Sequence, residues 1–410
     1  MRERILGING LGRIGKLTLW NQLLRDDFDT IVVNLGREVG GTTEDLVQTV
    51  TSDSTYGSLD TFLYGRSGRR VSVSVSSAGA TVEMTIENKR IRFLTTARNP
   101  KDIPWKHEKA CLVIDCTGSF LDPTLPEDHA HGSVRGHLAG GAERVIVSAP
   151  FKNVEANMPH DAGIFVHGVN HLDYDHDTHT VLSAASCTTT ALGHMMKPLL
   201  EKSETRRILT ASMSTVHAAT NTQTILDSVP KAGTKDMRKN RSVLNNIIIT
   251  STGAAKALES ILPEVSNIGF MADSVRIPTS TVSLVSLNVT FRTRLDRKGD
   301  PMISGASVNS IYRDAAAGPL RGNLEFSDRQ HVSADFLGSE AAAVIEGERT
   351  HCRTGFVEIP AEELAELGFE KARDLQMPVT HSNIYGWYDN EYGYVSTLSK
   401  LANHIQNLSG

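Results

Sequence analysis

The most constraining feature of this sequence is a glycine-rich segment that separates an apolar run from a helical pattern near the amino terminus. RILGIN (residues 4–9) reads as a strand, GLGRIG (10–15) follows at once, LTLWNQLLRD (17–26) has helical apolar spacing, and TIVVN (30–34) reads as a buried parallel strand. Strand, glycine-rich turn, helix and strand in this order predict a doubly wound α/β domain that binds a dinucleotide.

Each glycine of the turn has a specific task in that prediction. Gly10 allows the tight turn, Gly12 lets the backbone approach a pyrophosphate, and Gly15 permits close packing of helix on strand. The start of the following helix offers unpaired N–H groups and the positive end of its dipole to the phosphates. We therefore expect NAD or NADP as the cofactor.

The end of the second strand bears on the choice between these two cofactors. An NAD site of this kind places an Asp or Glu there for the adenosine ribose, whereas this chain has Leu35-Gly36-Arg37. Without that carboxylate a 2′-phosphate is not repelled, and Arg37 could pair with it. The alternative is that Arg37 is a solvated loop residue. These residues favour the use of NADP, or of both cofactors, over strict use of NAD.

Further strand-and-turn units continue the first half of the chain. ACLVIDCTG (110–118) and RVIVSAP (144–150) read as parallel strands separated by a helix-like HGSVRGHLAGGA (131–142). They are followed by Thr117 and Ser148 at the carboxyl edge of the sheet, where doubly wound sheets bind ligands. The alternation over 59–93 predicts an antiparallel excursion before the parallel sheet resumes.

Composition excludes several other classes of protein. The 410 residues have a formal net charge of −5, without the basic stripe of a nucleic-acid binder, and no apolar run is long enough to span a bilayer. The four cysteines lack disulfide or zinc spacing, which favours a reducing cytosol. HLDYDHDTH (171–179) mixes histidines and aspartates, but its spacing suits no single helix face, so we expect no metal site.

The second half opens on a candidate nucleophile. SAASCTTTAL (183–192) places Cys187 among hydroxyl residues at the start of a helical pattern, where the dipole favours a thiolate and lowers the pKa of the thiol. A buried structural cysteine is the alternative. The neighbours Ser186 and Thr188 argue against it, because an apolar slot would not be lined with hydroxyls.

Three later segments supply partners for such a nucleophile. STVHAATNTQ (214–223) places His217 at a strand end as a candidate base, although a lone histidine is more often structural. STGAAKA (251–257) sets hydroxyls before a helix, as an anion site would, and RIPT (276–279) sets Arg276 at the start of a long alternating strand, where it could hold a phosphate. One thiol, one imidazole and one guanidinium suit attack on a carbonyl in a phosphorylated substrate.

At this point the sequence resembles a known family. GINGLGRIG, SAASCTTT, STVHAATNTQ, STGAAKA, RIPT and GWYDNEYGY are similar, in order and over residues 7–394, to the motifs of phosphorylating glyceraldehyde-3-phosphate dehydrogenases. The resemblance implies a homotetramer with a Rossmann-type nucleotide domain (1–186) and an α+β catalytic domain (187–389) with a mixed, largely antiparallel sheet. It also implies that a C-terminal helix, about 390–410, packs back on the first domain.

The resemblance further implies a reaction and a role for each matching residue. Cys187 would attack glyceraldehyde 3-phosphate, His217 would take the proton as hydride leaves for the nicotinamide, and inorganic phosphate would cleave the resulting thioester to 1,3-bisphosphoglycerate. The residues implied around the two phosphates are Ser186, Thr188, Thr220, Thr222, Thr252, Gly253 and Arg276. Those implied around the cofactor are Gly10, Gly12, Arg13, Ile14, Arg98, Thr117, Ser148, Asn390 and Tyr394.

The chain also departs from the family pattern. An aspartate is usual where Leu35 stands, and Ala184 and Thr190 replace two asparagines beside the nucleophile. Extra residues fall at TRRI (205–208), and the segments 59–92, 121–133 and about 338–379 look enlarged. The last contains IPAEELAELGFEKARDL (359–375), which reads as an amphipathic helix from Pro360. It could cover the substrate, extend a subunit contact or decorate the surface.

Two other functions stay open on these residues. One is oxidation of another phosphorylated aldehyde such as erythrose 4-phosphate, although Thr188, Thr220 and Thr222 keep the glyceraldehyde-type pattern. The other is a non-catalytic nucleotide-binding paralogue that acts through its insertions, although it retains Cys187, His217 and Arg276. The basic segment KDMRKNR (235–241) fits a solvated or subunit-contact loop better than a nucleic-acid site.

Overall fold

The structure is a computed structural model that describes residues 3–78, 81–95, 97–153, 157–369 and 373–409. The chain forms two compact units, one of residues 1–187 with 391–410 and one of residues 188–390.

The first unit is built on a single large sheet. Its elements before Cys187 are β1 (Ile5–Asn9), α1 (Arg13–Leu23), β2 (Thr30–Asn34), α2 (Thr43–Thr51), β3 (Ser52–Asp53), β4 (Gly57–Ser58), α3 (Leu59–Tyr64), β5 (Val73–Ala78), β6 (Thr81–Ile86), β7 (Lys89–Leu94), α4 (Trp105–Glu108), β8 (Leu112–Asp115), α5 (Gly136–Ala139), β9 (Arg144–Val147), β10 (Ala162–Ile164) and β11 (Val181–Ser183). The nine-stranded sheet has the order β10-β11-β9-β8-β1-β2-β7-β6-β5.

Pairing within this sheet changes direction at β7. Strands β10 to β7 along the order are parallel, whereas β6 and β5 pair antiparallel. Every residue of β1 and β2 is buried, as expected of parallel strands covered on both faces. The doubly wound α/β class is thus confirmed. The antiparallel excursion predicted over 59–93 is confirmed for β5, β6 and β7, whereas residues 59–64 form the helix α3.

The predicted helix over 131–142 is wrong except for its centre. Only Gly136–Ala139 is helical. A side chain at Gly140 would lie 2.5 Å from the carbonyl oxygen of Ile103, and Gly141 has φ +103°. The chain therefore turns here, because a tight approach to a neighbouring loop replaces the regular helix.

The second unit contains a mixed, largely antiparallel sheet. Its elements are α6 (Cys187–Glu201), which begins at the last residue of the first unit, then β12 (Ile208–Ala218), β13 (Ile248–Ser251), α7 (Ala254–Ile261), β14 (Gly269–Ile277), β15 (Ser283–Arg292), α8 (Gly305–Ala317), β16 (Leu324–Ser327), β17 (Ala343–Glu346), β18 (His351–Ile359), α9 (Ala361–Glu366) and β19 (Leu375–Tyr388). The order is β13-β14-β12-β15-β19-β17-β16, and β18 also pairs with β19. The predicted α+β class is confirmed.

Two sequence predictions in this unit need correction. Arg276 lies near the end of β14 and not at the start of the long alternating strand, because Pro278 has no N–H and interrupts the chain before β15. The helix predicted from Pro360 ends at Glu366, since Gly368 adopts φ +91°. Residues 370–372 of that prediction lie outside the described residues.

The enlarged segment 338–379 contains β17, β18 and the beginning of β19. Strand β18 pairs antiparallel with the first part of β19, from His351 opposite Asn383 to Ile359 opposite Leu375. The insertion therefore lengthens the sheet as a hairpin. The last helix, α10 (Tyr392–Leu408), belongs to the first unit, where its buried face joins the core on the α1 side of the sheet.

Candidate active site

The glycine-rich turn has the geometry of a phosphate cradle. Gly10 has φ +93° and its N–H donates to the carbonyl of Asn34 at 2.9 Å. A side chain at Gly15 would lie 1.9 Å from the carbonyl oxygen of Gly10, whereas one at Gly12 would meet nothing within 4 Å. Helix α1 begins at Arg13, and its N-cap residue Gly12 offers no side-chain hydrogen bond. The turn thus packs tightly on one side and leaves space for an anion at the helix start, which fits a dinucleotide pyrophosphate.

Arg13 contributes to this turn mainly through its backbone. Its guanidinium forms a bidentate pair with Glu391, at 3.0 and 2.6 Å, and also contacts Asp53. Since two carboxylates hold the side chain, the backbone N–H groups of Arg13 and Ile14 are the groups of this helix start that suit a phosphate.

Behind the turn, a buried chain of polar side chains links the ends of three parallel strands. Asn34 donates to Asn9 at 2.8 Å, Asn9 donates to Asp115 at 2.8 Å, and His137 contacts the same carboxylate through Nε2 at 3.0 Å. Trp105 donates to His137 Nδ1 at 3.0 Å, which fixes the neutral Nε2–H tautomer. Sequence reasoning missed this chain.

Asp115 is fully buried and yet remains a carboxylate. Burial alone would raise the pKa of its carboxyl, but hydrogen bonds from His137, Thr117 and Asn9 outweigh it and lower the pKa. Both the hydroxyl and the N–H of Thr117 donate to Asp115, at 2.7 and 3.0 Å. The N–H of Ser148 donates to the Asp115 carbonyl at 2.9 Å. The carboxylate of Asp115 therefore positions Thr117, and its backbone carbonyl positions Ser148, at the carboxyl edge of the sheet.

The region beyond β2 contains a cavity of about 270 Å³. Leu35, Glu38 and Thr95 are among the residues that line it, while Arg37 is exposed and is not part of the lining. Arg98 donates from Nε to the carbonyl of Gly36 at 3.0 Å, which places a second cation beside Leu35. A carboxylate and two guanidiniums therefore lie near the place where an adenosine ribose would bind.

Cys187, the candidate nucleophile, follows a strained turn. Ala185 is fully buried and has φ +56°, a conformation that costs a non-glycine residue about 1–2 kcal/mol. Its N–H donates to Ser183 Oγ at 3.0 Å, and Tyr394 donates to its carbonyl at 3.5 Å. Helix α6 begins at Cys187, which is half-buried like Ser186. The turn thus places the thiol at a helix start, as the sequence predicts.

Tyr394 lies beneath this turn as a buried residue. Burial and the nearby thiols of Cys116 and Cys187 raise the pKa of its phenol well above the usual value. The phenol therefore stays protonated and can donate to the Ala185 carbonyl. In this structure Tyr394 supports the turn that leads to the nucleophile.

In the second unit, His217 and Arg276 lie side by side near the ends of the parallel strands β12 and β14, which are in register at these two residues. Arg276 Nη1 is 2.6 Å from His217 Nδ1, and the Ala218 carbonyl oxygen is 2.7 Å from the same nitrogen. Burial and, secondarily, the Arg276 charge lower the pKa of His217 to about 4. The imidazole is therefore neutral at neutral pH and can accept a proton.

A residue that sequence reasoning missed connects the two candidate catalytic elements within this unit. The Tyr388 hydroxyl is 3.0 Å from Thr188 Oγ1 and 2.8 Å from Thr215 Oγ1, so it joins α6 to β12. Its ring also meets that of His217 edge-on, with centroids 6.0 Å apart. The only sequence signal was its place in GWYDNEYGY, next to the predicted Asn390.

Asn390 is buried and hydrogen-bonded to the strand that follows Arg276. Its side-chain oxygen accepts from Ser283 at 2.9 Å, and Ser283 Oγ accepts in turn from the N–H of Ala218 at 3.1 Å. This arrangement links the predicted nicotinamide residue to the residue next to His217.

The remaining predicted phosphate residues occupy loop and helix-start positions. Thr220 and Thr222 contact one another through their hydroxyls at 3.0 Å on an exposed loop. Thr252 accepts from the N–H of Ala254, and Gly253 lies at the start of α7 with open space around its Cα. These four residues all lie in the second unit.

Within the described ranges, no group of three His, Cys, Asp or Glu side chains could hold a metal ion. Within the same residues, no helix combines the length and the apolar character that a membrane crossing requires.

Comparison with known proteins places the chain among similar sequences. Residues 4–123 match the model described as glyceraldehyde 3-phosphate dehydrogenase, NAD binding domain, and residues 186–361 match the one described as its C-terminal domain. Proteins named glyceraldehyde-3-phosphate dehydrogenase from Kitasatospora aureofaciens and Chlamydia pneumoniae are each 32% identical, covering 97% and 98% of this chain and 98% of either relative. A glyceraldehyde-3-phosphate dehydrogenase 2 from Nostoc sp. is 34% identical over 78% of each chain.

Proposed function

The chain belongs to the glyceraldehyde-3-phosphate dehydrogenase family, and we propose that Cys187 and His217 perform the chemistry of that activity here. The enzyme oxidises glyceraldehyde 3-phosphate in the presence of inorganic phosphate and a nicotinamide cofactor to 1,3-bisphosphoglycerate. The observation that carries the assignment of residues is the buried, neutral imidazole of His217 at a strand end beside Arg276.

The first step of the proposal is formation of a bond between Cys187 and the substrate aldehyde. The thiolate attacks the carbonyl carbon, the proton that the Cys187 thiol has lost ends on the carbonyl oxygen, and a thiohemiacetal results. The start of α6 favours the thiolate, because the helix dipole is positive there. The strained Ala185 turn fixes the direction from which the thiol leaves the backbone.

The second step requires a base for the thiohemiacetal hydroxyl. His217 takes this proton, and the bound cofactor supplies the hydride acceptor, so that the carbon becomes a thioester. When Nδ1–H donates to the Ala218 carbonyl, Nε2 is the proton acceptor; when Arg276 donates to Nδ1, the proton lies on Nε2 instead. A substrate phosphate that engages Arg276 therefore favours the tautomer that can act as a base.

The third step is cleavage of the thioester by inorganic phosphate. The phosphate oxygen attacks the thioester carbon, the acyl phosphate leaves, and Cys187 is regenerated as a thiolate. We assign the attacking phosphate to the Ser186, Thr188, Thr252 and Gly253 group, and the substrate phosphate to Arg276 with Thr220 and Thr222. Hydroxyls and a guanidinium suit phosphate oxygens as donors.

For the cofactor, we propose binding on the glycine-rich turn with NADP accepted at least as well as NAD. Gly10, Gly12 and the first N–H groups of α1 would hold the pyrophosphate, and Asn390 would orient the nicotinamide carboxamide. The proposal for NADP rests on Leu35 in place of a carboxylate and on the nearby Arg37 and Arg98. Glu38 opposes it, since its carboxylate lines the same cavity.

A homotetramer in the cytosol is also proposed. The segment between β12 and β14 exposes several large apolar side chains: Ile225, Leu226, Val229, Leu244, Ile247 and Ile249. Val229 is 91% exposed, and such a patch is typical of a surface that another subunit covers. No disulfide joins any of the four cysteines, all of which lie in the described ranges, and this suits a reducing compartment.

The proposal can be tested by trapping the acyl enzyme. With glyceraldehyde 3-phosphate and cofactor but no phosphate, the peptide containing Cys187 should gain the mass of a phosphoglyceroyl group, and added phosphate should remove it. The Cys187→Ser variant should gain no such mass, while Cys352→Ser should behave like the unmodified enzyme. A mass gain on another cysteine, or none in an enzyme that turns over, would overturn the assignment of Cys187.

A further inference from the structure

A second anion-binding feature lies at the opposite end of β12 from His217. A cavity of about 450 Å³ is lined there by four arginines, Arg206, Arg207, Arg292 and Arg294. Ten residues of nearly continuous strand separate Arg207 from His217, which corresponds to about 33 Å along an extended chain. The cavity is therefore distinct from the catalytic end of the sheet.

The charge around this cavity is strongly unbalanced. Among the described residues, Glu204 is the one acidic side chain of the lining, against four guanidiniums. None of the four arginines forms an ion pair with a carboxylate within the described ranges, where fifteen other arginine and lysine side chains do. The nearby Asp374 is engaged elsewhere, since its carboxylate accepts from the N–H of Ala361 at 2.9 Å.

Two of these arginines are held opposite one another by the backbone. The N–H of Arg292 donates to the carbonyl of Arg207 at 2.9 Å, which continues the antiparallel ladder of β12 and β15 beyond the pair Ile208–Phe291. Like charges directly opposite on neighbouring strands destabilise a sheet. An arrangement that holds cations together without carboxylate partners is typical of a site whose counter-charge comes from a ligand.

The cavity is built by two segments that lie far apart in the sequence. The loop before β12 supplies Arg206 and Arg207, and the hairpin of β18 and β19 supplies the wall from Leu375 to Pro378. The Pro378 carbonyl accepts from the N–H of Thr293 at 3.2 Å, which fixes the wall beside Arg292. Both segments are ones that the sequence predicts to be enlarged.

We propose that this cavity binds a small molecule with at least two phosphate groups. Guanidinium forks bind phosphate oxygens in pairs, and four of them match a compact, multiply charged anion better than a single phosphate. The volume lies in the range of small-molecule sites, and Met302 and Ile303 offer apolar surface for the organic part of such a ligand. The site goes beyond the proposed catalytic function and does not depend on it.

Binding of inorganic triphosphate, measured by titration calorimetry at fixed ionic strength, tests the proposal. The unmodified enzyme and Arg276→Gln should bind it alike at this site, and inorganic phosphate should bind at least tenfold more weakly. The double variant Arg207→Gln/Arg292→Gln should lose at least tenfold in affinity, while Glu204→Gln should bind more tightly. Arg321→Gln, an exposed arginine outside the cavity, is the matched control and should change nothing.

Thermal unfolding gives a second readout. Triphosphate should raise the Tm of the unmodified enzyme but not that of the double variant, whose Tm without ligand should be no lower because a repulsion has been removed. Should that variant fail to fold, Arg206→Gln/Arg294→Gln replaces it. Equal triphosphate binding by enzyme and variant would overturn the proposal. So would loss of the oligomer in the variant with no triphosphate binding by the enzyme, since the arginines would then contact another subunit.

Discussion

The two ends of strand β12 both gather arginines, but they do so under opposite conditions. At the end that contains His217, Arg276 lies 2.6 Å from an imidazole whose pKa is lowered by burial and, secondarily, by this guanidinium. At the other end, Arg207 and Arg292 face one another, and Glu204 is the one acid among the described lining residues. At one end of β12 a guanidinium thus helps to set the protonation of a neighbouring imidazole. At the other end, guanidiniums without carboxylate partners in the described ranges are available to bind an anionic ligand.

The largest effect is expected from removing the imidazole. His217→Asn should lower kcat by about 10²–10⁴-fold, because general base catalysis of hydride transfer is lost. Rates of reduced-nucleotide formation before the steady state measure this step directly. His351→Asn, an exposed histidine in the same unit, should leave the rate unchanged. A fall of less than threefold in His217→Asn would contradict the role of His217 as the base.

The pH dependence should reveal how Arg276 acts on His217. Since burial and Arg276 lower the pKa of His217 to about 4, the base is unprotonated above that pH and the acidic limb of kcat/KM should lie there. Arg276→Gln should move the limb upward, though not as far as 6.5, because burial remains. An unchanged limb in this variant would contradict the electrostatic part of the account.

The same shift makes a prediction about stability. The unfolded imidazole titrates near pH 6.5 and the folded one near 4, so the unfolded state binds more protons between these values. The free energy of unfolding should therefore fall as the pH drops from 6.5 towards 4. Denaturant unfolding of His217→Asn should show a weaker fall over this window, and an identical fall would argue that other groups cause it.

A smaller effect is expected in the first unit, where the charged side chains that follow β2 affect the choice between NAD and NADP. Arg37→Ala should weaken NADP more than NAD, by up to about tenfold, if a 2′-phosphate pairs with Arg37. Glu38→Gln should improve NADP by a few-fold, because a carboxylate that lines the cavity is removed. Ratios of kcat/KM for the two cofactors measure both. Equal losses for NAD and NADP in Arg37→Ala would remove Arg37 from the cofactor site.

The smallest effect on catalysis is expected at the distal arginines. Arg207→Gln/Arg292→Gln should keep the basal rate within about twofold, because about 33 Å of strand separates the substituted residues from His217. A large loss of basal rate in a folded variant would show that the arginines at the far end of β12 affect catalysis at His217, and would contradict this prediction.

Local patterns in the sequence predicted the parts of the molecule that depend on neighbouring residues. The tight turn at Gly10, the helix that begins at Cys187 and the strand that ends beside His217 each follow from residue types within a few positions, and the fold class is confirmed. The individual roles of the site residues stay predictions, since they depend on a bound substrate and cofactor.

Features that join distant residues could not be predicted in this way. Tyr388 reaches Thr188 and Thr215 across about two hundred residues, and the buried chain through Asn9 and Asp115 depends on which strands are neighbours in the sheet. The arginine cavity also joins distant residues. Neither the segment 205–208 nor the hairpin of β18 and β19 is unusual alone, and the register of β12, β15 and β19 brings them together.

The proposed activity is best tested by initial rates of reduced-nucleotide formation from glyceraldehyde 3-phosphate, with NAD and NADP compared in the presence and absence of inorganic phosphate. Sustained turnover is expected only when phosphate is present, with NADP used at least as well as NAD. Turnover that is independent of phosphate, or none with either cofactor in an enzyme that binds nucleotide, would contradict it.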